Sequence, residues 1–233
     1  MDLDWPGCRN ARDVGGLPTA DGRTIRPGVL IRSESLQYLT PEGVEAVRRS
    51  NVSRILDLRG DWEVESAPTP FTGGPLAVRQ SLQDPADPDH GQPTIVAACI
   101  WMLDRRPELF AAAVKAIADE PEGAVVVHCH GGKDRTGMVV ALALSVAGVP
   151  EDEIVADYFL TQVRLAGWLA EQLADEPDTS KHSEMIEFRD TRAESLVAIL
   201  RHVDEKYGGA EAYLRHGGLT TDDLDRLRAR LIA

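Results

Sequence analysis

The chain has 233 residues, 43% of them hydrophobic, enough to bury one substantial core without disulfide or metal staples. Its formal net charge of −13 disfavours nucleic-acid binding and repels anions at long range, so any anion site must be built locally. Three cysteines, Cys8, Cys99 and Cys129, lack metal-ligand spacing, and an odd number cannot pair fully, which fits a reducing compartment.

In chain order, the N-terminal third is punctuated by turns. Asp21-Gly22 between 14–17 and 24–25 reads as a small hairpin, and 28–31 as a short strand. Thr40-Pro41-Glu42 opens a helix of about ten residues, with Thr40 as N-cap and Pro41 at the first helical position. Residues 52–58 read as a strand and 76–82 as a weaker one. Residues 81–93, with three prolines and three aspartates, read as a loop. An Ala-rich helix over 107–119 follows. Residues 124–127 are small or β-branched and apolar throughout, as a strand buried on both faces requires. The next helix, 136–147, is apolar all round and should be buried, ending at Gly148 and Pro150. Helices follow over 151–163, 191–207 and 220–232, the last two opened by capping boxes, Thr191 with Glu194 and Thr220 with Asp223. Strands early and helices late predict one α/β domain over 1–233, with a helical C-terminal part packed over the sheet. The first residues lack the basic and apolar regions of a secretory signal, and no run approaches the ~18 apolar residues of a membrane span. The protein is read as cytoplasmic by default, with export by a signal-less route left open.

The chemistry concentrates in His128-Cys129-His130-Gly131-Gly132-Lys133-Asp134-Arg135-Thr136-Gly137. Cys129 and Arg135 stand in Cys-x5-Arg spacing where a strand meets a helix. A loop wrapping from a strand end into a helix N-terminus points backbone N–H groups at one centre and makes an anion nest. His130, Gly131, Gly132, Lys133, Asp134, Arg135 and Thr136 form it. The reading gives both Gly131 and Gly132 the unusual backbone angles of the wrap, and has Arg135 grip two phosphate oxygens. The same field favours the Cys129 thiolate, poised for in-line attack on phosphorus. Thr136 can donate to the sulfur when it leaves. His128 is adjacent to the nucleophile in a strand and so faces the other way. It is expected to order the loop rather than act as a base.

Three rival readings are weaker. A nucleotide-hydrolase phosphate loop fails on spacing, because His128 replaces its first glycine and Asp134 follows the lysine. Sulfur transfer does not explain Arg135-Thr136, and a non-catalytic phospholigand module does not need Cys129.

These residues resemble the protein tyrosine phosphatase signature His-Cys-x5-Arg-Ser/Thr-Gly. The fuller His-Cys-x-x-Gly-Lys-Asp-Arg-Thr-Gly is similar to bacterial tyrosine/serine phosphatases of the atypical, lipid-tolerant type. The likeness extends to Asn10-x-Arg12-Asp13-x-Gly15-Gly16, Leu30-x-Arg32-Ser33, Asp57-Leu58-Arg59 with Glu63, and Tyr213-Leu214. It implies a dual-specificity-phosphatase-like fold with a central, mostly parallel, twisted sheet flanked by helices. It also implies a phosphocysteine intermediate with no metal and no cofactor. The expected partner is a phosphorylated protein or a phosphoinositide, with inorganic phosphate as product ligand; a phosphoinositide preference is the alternative. Lys133 would add positive charge for a phosphorylated head group. A helical lid at about 165–190 is weighed equally against a plain surface loop.

The general acid has two sources. Asp134 is favoured by the resemblance, while Asp84, Asp87 and Asp89 lie where a separate acid loop would be. Asp57, Arg59 and Glu63 either brace the loop or form an ion pair at its rim. Arg12 and Asp13 invite the same two readings. Cys99 as a disulfide partner protecting Cys129 is a minor alternative to a plain buried thiol.

Overall fold

The computed structural model of the chain describes residues 1–83, 91–120, 122–189 and 191–233. Strands β1 (Arg12–Asp13), β2 (Leu30–Ser33), β3 (Val52–Asp57), β4 (Ala77–Arg79) and β5 (Ala124–His128) form one sheet. Its order is β1-β2-β5-β3-β4. β1 runs antiparallel to β2, and the remaining pairs are parallel. β5 is central and all its residues are buried. Alternate side chains separate two cores, as the strand period of two requires. Val125 and Val127 join Leu30 and Leu56 on one face; Ala124 and Val126 join Ile31 and Ile55 on the other.

The helices are α1 (Pro41–Arg49), α2 (Asp61–Ser66), α3 (Ile95–Arg105), α4 (Pro107–Ala118), α5 (Asp134–Val146), α6 (Glu151–Asp175), α7 (His182–Arg189), α8 (Ala193–Tyr207), α9 (Ala210–His216) and α10 (Thr221–Leu231). Thr40 caps α1, its hydroxyl accepting from the Gly43 amide. The Thr220–Asp223 box opens α10 in both directions. α5 lies in the larger core with almost every residue buried. It ends in a turn at Gly148 (φ +81°) whose following amide returns to the Leu144 carbonyl, the left-handed cap that glycine favours.

Several boundaries differ from the sequence reading. The weak strand over 76–82 shrinks to Ala77–Arg79. The loop read over 81–93 falls largely outside the described residues. α3 was not foreseen. Its run Ile-Val-Ala-Ala-Cys-Ile-Trp-Met-Leu is apolar at both helical and strand spacing, so only the Thr94 cap decides it, accepting from Ala97. α6 continues past 163 to Asp175 because its alanines and leucines, with Arg164, Glu171 and Gln172, sustain the helix. Thr191 does not cap α8. Arg192 occupies the N-cap, where its side chain makes no capping bond, and Thr191 is buried just before it. In the polar stretch 175–190, Thr179–Lys181 forms a 3₁₀ turn and α7 follows.

The register sets the position of the site. Ser33 and Asp57 both stand beside His128, so β2, β5 and β3 finish at one edge of the sheet. In open α/β sheets this carboxyl edge is where ligands bind. Among the described residues, no helix is long and apolar enough to cross a membrane.

Candidate active site

Cys129 follows directly on β5 and is 3% exposed. Five residues later the chain enters α5 at Asp134, so the loop 130–133 wraps over the positive end of a buried helix. Its outer side is tied to the strand ends: the Ser35 amide donates to the His130 carbonyl at 2.8 Å.

The two loop glycines are not equivalent, which corrects the sequence reading. Gly132 has φ +64°, and a Cβ there would lie 2.3 Å from the Ser33 carbonyl oxygen and 2.6 Å from the Glu34 nitrogen. Gly131 does not have a left-handed φ, and its nearest neighbours would be Lys133 Cβ at 3.9 Å and Leu165 Cδ1 at 4.0 Å. Only Gly132 is needed for the wrap. Gly137 has a packing reason instead: a Cβ would meet the Tyr158 ring of α6 at 2.6 Å.

Cys129, His130, Gly131, Lys133, Asp134 and Arg135 line one cavity of about 370 Å³. Trp62, Leu165, Trp168 and Phe188 give it apolar walls, and Arg189 adds a second guanidinium. Arg135 is held by Glu63 of α2 through two bonds, Nη1 to Oε2 at 2.5 Å and Nη2 to Oε1 at 2.9 Å. Gln83 accepts a further bond from Nη1 at 3.3 Å. Five N–H donors minus these three leave the Nε–Nη2 edge for another planar acceptor pair. Burial works against the charge on both partners. The mutual pairing outweighs it, holding Glu63 below the usual carboxylate range and Arg135 above the usual arginine value.

Lys133 is not simply a cation facing the cavity. Its Nζ donates to the Phe188 carbonyl in the last turn of α7 at 2.7 Å and lies 3.6 Å from Asp134 Oδ1. Thr136 is wholly buried, and its hydroxyl has no hydrogen-bond partner among the described residues. Asp84, Asp87 and Asp89 lie outside the described residues.

Asp57, Arg59 and His128 sit beneath the loop and do not line the cavity. Arg59 pairs with Asp57 from Nε at 2.9 Å and Nη2 at 2.8 Å, and reaches the Ala67 carbonyl at 2.8 Å. His128 Nε2 is 3.8 Å from Asp57, and Nδ1 is 3.2 Å from the Cys129 carbonyl oxygen. Burial pushes the His128 pKa down despite the Asp57 charge. A neutral ring that contacts the backbone of Cys129 suits support rather than proton transfer.

On the other flank, Arg12 and Arg32, each 1% exposed, share Asp157 of α6. Arg12 Nε and Arg32 Nη1 both lie 2.7 Å from its carboxylate. Burial would raise the Asp157 pKa, but the two guanidiniums outweigh it and hold the carboxyl low. Asp13 has a local task, accepting from the amides of Gly15 at 2.8 Å and Gly28 at 2.6 Å. Cys8 approaches Ser33 and Glu34, and Cys99 is buried in the larger core.

Sequence reasoning missed Asp157, Trp62, Gln83, Trp168, Phe188 and Arg189. Asp157 left a signal: it shares the buried stripe Ile154, Asp157, Tyr158, Thr161, Leu165, and a carboxylate there demands a buried cation. Trp168, three residues after Leu165, continues that face. Among the described residues, no cluster of His, Cys, Asp and Glu could hold a metal ion.

A family model described as the tyrosine phosphatase family matches residues 3–233. The triple specificity protein phosphatase PtpB of Mycobacterium tuberculosis is 29% identical over 98% of each chain. A tyrosine-protein phosphatase of Nostoc commune is 32% identical over 56% of this chain and 46% of its own.

Proposed function

Since the chain belongs to the tyrosine phosphatase family and is a protein tyrosine phosphatase, we propose that it works through a phosphocysteine at Cys129. One observation carries this reading: Cys129, Asp134 and Arg135 line a single cavity at the mouth of a helix N-terminus.

The substrate phosphate rests on the loop amides, and the Nε–Nη2 edge of Arg135, unbonded among the described residues, takes two of its oxygens. The Cys129 thiolate attacks phosphorus in line, and the bond to the ester oxygen breaks. Asp134 gives its proton to that oxygen as it departs. Water then attacks the phosphocysteine, Asp134 takes its proton, and the P–S bond breaks to restore the thiolate and release inorganic phosphate. The Thr136 hydroxyl, which has no hydrogen-bond partner among the described residues, is a ready donor to that sulfur. Both transition states carry extra charge on the equatorial oxygens, where the fixed amides and Arg135 act most strongly.

The same reading takes the end of α6 with α7 as a cover over the site. Phe188 and Arg189 line the cavity, no side chain of α7 is buried, and Lys133 holds a carbonyl of its last turn. A broader reading adds phosphoserine, phosphothreonine and phosphoinositides. It is favoured by Arg189 beside the cavity and by the triple specificity in the name of the mycobacterial relative.

Hydrolysis of p-nitrophenyl phosphate without added metal tests the mechanism. Vanadate should block it and Cys129→Ser should abolish it; activity that survives the substitution refutes the phosphocysteine. A panel of phosphotyrosine, phosphoserine and phosphoinositide substrates then decides the breadth.

A further inference from the structure

Asn10 and Arg32 lie behind the loop, outside the cavity, and both are bonded to its carbonyls. Asn10 is fully buried. Its Nδ2 donates to the Gly131 carbonyl at 3.2 Å and reaches the Gly132 carbonyl at 3.5 Å. Arg32 Nη2 donates to the same Gly132 carbonyl at 3.0 Å. The Asn10 amide can face only one way, because its Oδ1 accepts from Arg12 Nη1 at 2.6 Å. A reversed amide would place oxygen against two carbonyls and nitrogen against a guanidinium.

In a planar trans peptide the C=O and the following N–H point in opposite directions. Holding the Gly131 carbonyl outward therefore turns the Gly132 amide inward, and holding the Gly132 carbonyl does the same for Lys133. Inward is where an anion over Cys129 would sit. The Gly131-Gly132 pair does not secure this by itself, because glycines have the weakest backbone preference. A flipped peptide would present a carbonyl to the phosphate.

The holders are themselves fixed. Arg32 stands on β2 opposite Val127 of β5, pairs with Asp157, and lies 5.9 Å from the centre of the Tyr158 ring. The Asn10 backbone amide donates to Glu34 at 2.8 Å. Arg12 is clamped by Asp157, and its Nη2 donates to Thr161 at 3.1 Å.

We infer that Asn10 and Arg32 are positioning residues of the phosphate loop, turning the Gly132 and Lys133 amides toward the substrate oxyanion, with Asp157 and Arg12 fixing both. The inference rests on the phosphatase reading above and assigns the reaction a support from residues 100 or more positions away in sequence.

The test compares wild type, Asn10→Asp, Arg32→Lys and Thr220→Ala. Asn10→Asp keeps the shape but replaces the donor with an acceptor facing two carbonyls. Arg32→Lys keeps the charge and loses the fork. Thr220→Ala is a destabilising control at a distant helix cap. The readings are vanadate inhibition, kcat and KM for p-nitrophenyl phosphate, Cys129 alkylation by iodoacetamide at pH 6, and thermal unfolding. Asn10→Asp should weaken vanadate about tenfold or more, a loss of ~1.4 kcal/mol, slow alkylation and lower kcat/KM to match. Arg32→Lys should shift all three in the same direction. Thr220→Ala should lower Tm while its vanadate affinity stays at the wild-type value. If Asn10→Asp does not fold, Arg32→Lys decides by the same readings. An active wild type whose folded variants keep wild-type vanadate affinity overturns this inference alone. A wild type that neither hydrolyses the ester nor binds vanadate overturns the phosphatase reading and the inference with it.

Discussion

Replacing Gly132 by alanine should cripple the site, and the same change at Gly131 should not. At Gly132 an alanine pays about 1–2 kcal/mol for the left-handed conformation. Its Cβ would stand 2.3 Å from the Ser33 carbonyl oxygen and 2.4 Å from the Ser33 carbonyl carbon. Those atoms end β2, which is paired to β5, so they cannot swing aside as a side-chain tip would. Restoring an ordinary contact requires the loop to move by about 1 Å, and a misplacement of that size costs roughly 10²-fold in rate, or ~2.7 kcal/mol of transition-state stabilisation. Among the described residues the Gly131 Cβ meets nothing closer than 3.9 Å, so Gly131→Ala should stay within about threefold of wild type, under ~0.7 kcal/mol. Steady-state kcat/KM for p-nitrophenyl phosphate, with Tm to verify folding, reads both. A folded Gly132→Ala with wild-type kcat/KM would refute the steric argument, and so would equal losses at the two positions.

Asp134→Asn should cut turnover on phosphotyrosine by roughly 10²-fold or more, and much less on p-nitrophenyl phosphate, whose leaving group needs little protonation. Equal losses on both substrates would count against Asp134 as the acid. Glu63→Gln removes the charge that orients Arg135, and should lower kcat/KM and vanadate affinity about tenfold, as for a lost charged hydrogen bond of ~1.5 kcal/mol. Asp157→Asn leaves two buried guanidiniums without a counter-charge and should cost about 3–5 kcal/mol by urea unfolding. The low native pKa of Asp157 sets the sign of its pH effect. Its stabilisation is complete above the unfolded value of ~3.9 and is lost as pH falls toward the native one. That part of the acid-unfolding profile should vanish in the variant. Thr220→Ala should lower stability by about 1 kcal/mol through the lost cap, seen as a fall in Tm.

Local signals carried much of the fold. The four-residue apolar run before Cys129, the glycines and the buried helix after it specified strand, loop and helix without distant help. Thr40 and Thr220 announced their helices because a cap is a contact within three residues. Thr191 looked the same and failed, because its hydroxyl is drawn into a buried position while Arg192 takes the cap. α7 gave no periodic signal because it buries none of its side chains; only the resemblance raised a helical lid at about 165–190, and Phe188, Arg189 and the bond from Lys133 mark the place of α7 at the cavity. The Arg12–Asp157 pair joins residues 145 apart in sequence, a distance no pattern of spacing can bridge. Within the motif, the cavity gathers Cys129, Asp134 and Arg135, but spacing could not tell which glycine the wrap requires or that Lys133 is already bonded.

The walls of the cavity have an optical consequence. Two of the four tryptophans, Trp62 and Trp168, line it. Trp62 is 68% exposed, whereas Trp5 is buried in the core on the opposite face of the sheet. A ligand covering Cys129 would strip water from both cavity indoles and leave Trp5 unchanged, shifting emission to shorter wavelength over a constant background. The protein thus contains its own fluorescent titration probe, and Trp62→Phe and Trp168→Phe would show which wall each ligand touches, without a label and without turnover.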